Sequence, residues 1–185
     1  MPGEDERFRA LFDAHFADLW RFVRRRCATP EDADDIAGQV FAVAWRRRGD
    51  LPEGGEVRLW LFGVARRVLA NHRRTGARHD RLVQRLSGIA DGHEDREPDV
   101  PSDLLGAALA SLSEDHRAVV EMRCWDGLTV GEIAAVLDCS PNAVSIRLHR
   151  ARKQLAAYLA RTGLASNGHV ADEIAPLKEH SDDCR

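Results

Sequence analysis

The sequence predicts an all-α protein: two small helical domains joined by a flexible acidic linker, the C-terminal one containing a helix-turn-helix. Three observations predict it. From Asp5 to about Arg81 the apolar residues recur at helical spacing, with little of the alternation a strand requires. The stretch from Ser87 to Asp103, SGIADGHEDREPDVPSD, is rich in Gly, Pro, Ser and acids and has too few apolar residues to form a core. Beyond it, GLTVGEIAAVLDCSPNAVSIRLHRARKQL, Gly127 to Leu155, places two apolar-periodic runs around a turn and ends in a burst of arginines. The expected organisation is a domain over residues 5–85, a linker over 86–103, a second domain over 104–162 and a polar acidic tail over 163–185.

Each element has a local cause. Phe8, Leu11, Phe12, Phe16, Leu19, Trp20 and Val23 form a wide apolar stripe on a first helix. In ATPED, Thr29 is placed as a cap, Pro30 at the first helical position and acids in the first turn; the helix then runs through Ile36, Val40, Val43 and Ala44 to the arginines at 46 to 48. GDLPEGGE, Gly49 to Glu56, holds three glycines and a proline and must be a loop. VRLWLFGVARRVLANHRR continues as a helix with Trp60, Val64 and Val68 along one side and Leu61, Ala65 and Leu69 beside them, so Trp60 reads as core. Its second half turns basic: seven arginines stand between Gly63 and Arg85 against the single acid Asp80.

In the second domain Ser113 is placed to cap a helix carrying Val119, Val120 and Met122, which Gly127 breaks. Thr129 caps VGEIAAVL, with Glu132 three residues on completing a capping box. Ser140 and Pro141 then start a last helix that runs to about Arg161. Ile133, Ala134, Leu137, Val144 and Leu148 are the residues expected to pack the pair.

Composition excludes several classes. With 185 residues and 44% hydrophobic content the chain can bury cores, and its net charge of −3 hides the uneven distribution of its cations. No apolar run approaches the roughly 20 residues of a membrane span, and MPGEDERFRA lacks a secretory pattern, so a cytoplasmic protein with no membrane insertion is expected. Cys27, Cys124, Cys139 and Cys184 form no CxxC pair and read as reduced, partly buried thiols; a redox or metal role for His180 and Cys184 in the tail is the alternative. A glycine-rich phosphate loop, a nucleophile elbow and zinc spacing are all missing, and His72 and His79, seven apart among arginines, suit nucleic-acid contacts better than metal ligation. Neither catalysis nor any cofactor or metal is expected.

The last helix carries the functional signal. Asn142, Ser145, Arg147, His149, Arg150, Arg152 and Lys153 are its polar positions, with no acid between Pro141 and Arg161. A solvated face of an ordinary hairpin normally balances its arginines with glutamates. Arginine forks onto guanine in the major groove, and neighbouring cations hold phosphates, so the composition suits DNA.

With both domains in view, the chain resembles bacterial RNA polymerase sigma factors of the sigma-seventy family, in the small two-domain extracytoplasmic-function group. The resemblance runs from about Phe8 to Leu159 and rests on four successive segments in order. It implies that PEDADDIAGQVFAVAWRR is the surface for core RNA polymerase, with Asp32, Asp35 and Gln39 facing the coiled coil of the largest subunit. The family usually has Gln-Glu where this chain has Gly38 and Gln39. It implies that RLWLFGVARRVLANHRR reads and opens the promoter's minus-ten element through Arg66, Arg67, Asn71, Arg73 and Arg74. Arg67 stands where many relatives have asparagine, and the loop before this helix would form part of a pocket for a flipped base.

By the same resemblance the last helix reads the minus-thirty-five element through Asn142, Ser145, Ile146, Arg147, His149, Arg150 and Arg152. Ser145, Ile146, His149 and Arg150 fall where relatives touch bases, and Arg147 and Arg152 lie nearer the backbone. Many relatives have a basic residue at the position of Ser145 and a hydroxyl at that of Ile146. The resemblance also implies an anti-sigma partner, and the physics of two modest DNA-binding modules, effective only when tethered together on polymerase, predicts weak promoter binding by the free chain. The main alternative is a stand-alone helix-turn-helix regulator whose N-terminal helices sense or dimerise; a basic second half on the Trp60 helix gives such a domain nothing.

Overall fold

A computed structural model of the chain describes residues 3–87 and 103–161, with side chains over 3–75 and 105–161. The linker's acids from Asp91 to Asp99, the tail with His180 and Cys184, and the side chains of His79 and Asp103 lie outside the described residues. The described residues form seven helices and no strand. The chain divides into two compact units, Met1–Glu94 and Asp95–Arg185.

The first unit packs three helices against one another: α1 (Glu4–Arg24), α2 (Pro30–Arg46) and α3 (Glu56–Ser87). Leu19, Phe22 and Val23 of α1, Ile36, Ala37, Val40 and Ala44 of α2, and Leu61, Phe62, Ala65 and Leu69 of α3 supply the core. Phe22 and Phe62 stack with ring centroids 4.3 Å apart, and both are almost fully enclosed. Burial of each such side chain contributes about 1.5–3 kcal/mol. The Arg26 guanidinium lies 3.8 Å from the Phe22 centroid and that of Arg58 lies 4.7 Å from Phe62, so cations close both ends of the stack.

Arg58 also pairs with Asp18 of α1, to which Arg21 adds a contact of 3.2 Å. Burial pushes the Asp18 carboxyl up, but hydrogen bonds and charge from Arg58 and Arg21 outweigh it and hold the group below its ordinary range. Thr29 accepts the Asp32 amide at 3.1 Å, which fixes the start of α2 where the sequence placed it. Trp60 is half-buried.

The second unit gathers α4 (Asp103–Ala110), α5 (Glu114–Cys124) and α6 (Val130–Leu137) against α7 (Pro141–Arg161). Its core is aliphatic: Val119, Val120, Met122, Leu128, Ile133, Val144, Ala151 and Leu155. Ser113 caps α5 through the His116 amide at 3.4 Å. Thr129 and Glu132 make a reciprocal capping box on α6, with bonds of 3.2 and 2.7 Å. Gly127, at φ +66, lets the Leu128 amide turn back onto the Met122 carbonyl at 3.0 Å. Burial pushes the Cys124 thiol up to about 11, so it is un-ionised at neutral pH.

Candidate nucleic-acid interface

The turn between α6 and α7 sets the angle of the interface helix. Asp138 adopts the left-handed conformation at φ 52, ψ 52, and the Cys139 amide reaches back to the Ala134 carbonyl at 3.0 Å. Ser140 then caps α7 through the Ala143 amide at 3.2 Å. With Ile133, Ala134, Leu137, Val144 and Leu148 all buried, the two helices are locked as a pair.

Locking one face of α7 determines what the other presents. Val144, Leu148, Ala151 and Leu155 point inward, and Asn142, Ser145, Ile146, His149, Arg150 and Lys153 are all exposed on the opposite side, at the three-and-four spacing of one helix face. Arg147 and Arg152 stand at the flanks, both half-buried. Arg147 donates to the Cys139 sulfur at 3.8 Å, and Arg152 Nε is enclosed without a hydrogen-bond partner. Five expected residues therefore share one outward stripe, and two arginines border it.

On α3 the buried stripe of Leu61, Ala65 and Leu69 turns Arg67, Asn71 and Arg74 outward, and Arg66 and Arg73, seven residues apart, form a flank. All five are exposed. Arg73 lies near enough to Cys27 for its charge to favour the thiolate, although burial and the charge of Asp32 leave that thiol above its ordinary range. Sequence reasoning missed the position of His72. It falls on the continuation of the buried stripe, and its Nε2 reaches Asp32 Oδ1 at 3.4 Å, tying α3 to α2. The stripe's period, extended by one turn, is the signal that finds it.

Along α2, Asp35 and Gln39 are exposed with Gly38 and Ala42 on the outward face. Asp32 is half-buried at the edge of that face and turned to His72. Asp34 accepts from Trp20 Nε1 at 2.7 Å, a link across fourteen positions of sequence that holds the start of α2 against α1. Beside this face Phe12, Phe16 and Trp45 are exposed and pack with Phe8 and the buried Phe41 as an aromatic cluster. Among the described residues no group of three or more His, Cys, Asp or Glu could hold a metal ion, and no helix is long and apolar enough to cross a membrane.

Both units match known protein families. The Sigma-70 region 2 family matches residues 11–79, and the Sigma-70, region 4 family matches residues 102–155. The ECF RNA polymerase sigma factor SigL of Mycobacterium tuberculosis is 32% identical over 165 residues, covering 84% of this chain and 90% of that protein. RNA polymerase sigma factor CarQ of Myxococcus xanthus is 29% identical over 169 residues, covering 88% of this chain and 94% of CarQ. Among solved structures, CnrH in complex with the cytosolic domain of CnrY is similar at a TM-score of 0.58 and 25% identity, covering 83% of this chain and 88% of CnrH. The sigma factor RpoE of Bartonella quintana, solved with the anti-sigma factor NepR, shares the fold at a TM-score of 0.63 and 22% identity, covering 83% of this chain and 96% of RpoE. The chain belongs to the ECF RNA polymerase sigma factors of the sigma-70 family.

Proposed function

We propose that this sigma factor divides initiation between its two units, the first docking on core RNA polymerase and opening the minus-ten element, the second reading the minus-thirty-five element. The observation that supports it most is the exposed stripe of α7, which carries five polar or cationic side chains suited to base edges and phosphates around Ile146. Arg150 can fork onto guanine and Asn142 onto adenine, while Arg147 and Arg152 at the flanks lie nearer the phosphates.

On α3, Arg67, Asn71 and Arg74 face the DNA, with Arg66 and Arg73 along the backbone. Asp35 and Gln39 are the exposed polar groups for the polymerase coiled coil, and Asp32 acts at their edge through its contact with His72. The protein performs no catalysis of its own; its contribution is to bring polymerase to a promoter and hold the opened strand. It works in the cytoplasm, and an anti-sigma factor restrains it, a reading supported by the similar CnrH having been solved with the cytosolic domain of CnrY.

The test is transcription reconstituted from core enzyme, this protein and a library of promoter fragments. Discrete start sites sharing upstream and minus-ten elements are expected, and their loss when the protein is omitted. Initiation no different from core enzyme alone would refute the reading, and palindromic footprints by the free protein would favour the stand-alone regulator.

A further inference from the structure

Ile146 is 43% exposed at the centre of a stripe otherwise made of hydrogen-bonding and cationic side chains. Asn142 lies one turn before it and Arg150 one turn after, with Ser145 and His149 beside it. Ile146 stands outside the core, which α7 fills with Val144, Leu148, Ala151 and Leu155 from the opposite face. Helix propensity also disfavours a β-branched residue relative to alanine, lysine or arginine.

Single exposed apolar residues are ordinary on protein surfaces, so exposure alone decides nothing. The decisive fact is what surrounds it. A protein partner would want a contiguous apolar patch, and the exposed neighbours of Ile146 on this face are all polar. A DNA major groove has one apolar feature, the C5-methyl of thymine, set among donors and acceptors. Ile146 is an apolar point set among donors and acceptors in the same way. It is the sixth residue of α7, in the N-terminal part from which a recognition helix contacts base edges. Its branched side chain is stiff at χ1 and loses little freedom on contact.

We propose that Ile146 is a specificity-determining residue that reads the C5-methyl group of a thymine in the upstream promoter element. This rests on the reading of α7 as the minus-thirty-five helix. Cytosine offers no methyl at that position, so the contact discriminates by shape and apolarity where Arg150 and Asn142 discriminate by hydrogen bonding.

The experiment uses holoenzyme assembled from core polymerase and the full chain, on the promoter it selects from a library randomised over the upstream element. Each thymine of that element, on either strand, is replaced singly by uracil, which removes only the methyl. Wild type and Ile146→Ala are then compared, with core binding measured for both. The expected result is one position where uracil lowers wild-type open-complex formation about fourfold, the effect of one buried methyl-sized group, and leaves I146A unchanged.

Three outcomes overturn the proposal. Uracil tolerated by wild type at every position, while scrambling the element still abolishes initiation, removes the methyl contact and keeps α7 as the reader. Equal loss in wild type and I146A assigns the methyl to another residue. Indifference to scrambling shows that the helix does not read this element, and the functional reading of the second unit fails with the proposal.

Discussion

The outward faces of α3 and α7 are both basic, but they differ in what accompanies the charge. On α3, Arg67, Asn71 and Arg74 stand with Arg66 and Arg73, no large apolar side chain is exposed among them, and the next residue inward, His72, is tied to Asp32 of α2. On α7 the cations share their face with Asn142, Ser145 and Ile146, and a left-handed turn and a serine cap fix the helix's start. On the proposed reading of both faces, net charge marks where nucleic acid would lie, and the interspersed residues set how it would be read. A face of arginines holds a strand largely regardless of sequence, whereas a face mixing donors with an apolar point can discriminate among base pairs.

The bluntest way to break the comparison is to unfold one side of it. Phe62→Ala removes a ring enclosed against Phe22 and should cost about 3–5 kcal/mol, measurable by denaturant unfolding. Core binding and promoter opening should fall with it, while the helical signature of residues 103–161 persists. A sharper cut separates the two chemistries. Arg150→Ala should cost about 1–3 kcal/mol of discrimination at one upstream base pair. Arg67→Ala should weaken holoenzyme binding almost evenly across promoter sequences and lower its salt slope by about 1. Titration of labelled promoter at several salt concentrations distinguishes these patterns, and identical behaviour of the two variants would erase the contrast.

Smaller effects test the scaffold behind the faces. A Cβ built at Gly38 meets nothing within 4 Å, so Gly38→Ala should raise stability by up to about 1 kcal/mol. If core affinity also holds, the glycine is not needed for docking; a loss of affinity would mean that polymerase approaches the backbone there. The smallest effect concerns Asp18, whose carboxyl is held below its ordinary range by Arg58 and Arg21. Its stabilising contribution is present above the unfolded-state pKa near 3.8 and is lost as pH falls through the lower folded value. Asp18→Asn should therefore cost no more than about 1 kcal/mol at neutral pH for a half-buried pair still partly screened by solvent, and the difference from wild type should vanish in acid.

Much of this architecture is legible in the sequence because its causes are local. Thr29, Ser113 and the Thr129–Glu132 box act within three residues of themselves, and each cap is found where the pattern places it. The outward stripe of α7 follows from helical period alone once Val144 and Leu148 are taken as buried. Helix α4 was not legible: DLLGAALA is nearly all apolar or small, so it has no polar face to set a period, and contact with α7 defines its buried side. The Trp20–Asp34 bond and the His72–Asp32 contact were not legible either, because they join residues 14 and 40 positions apart and depend on how the three helices pack. Asp32 was expected among the polymerase-facing acids, and no local pattern revealed that α3 would draw it to the edge of that face.

The most direct measurement is whether the purified full chain forms a complex with bacterial core RNA polymerase by size-exclusion chromatography, with and without a competing housekeeping sigma factor. A one-to-one complex that the competitor displaces is the predicted result. A folded, inhibitor-free chain that elutes apart from core polymerase would contradict the account at its centre.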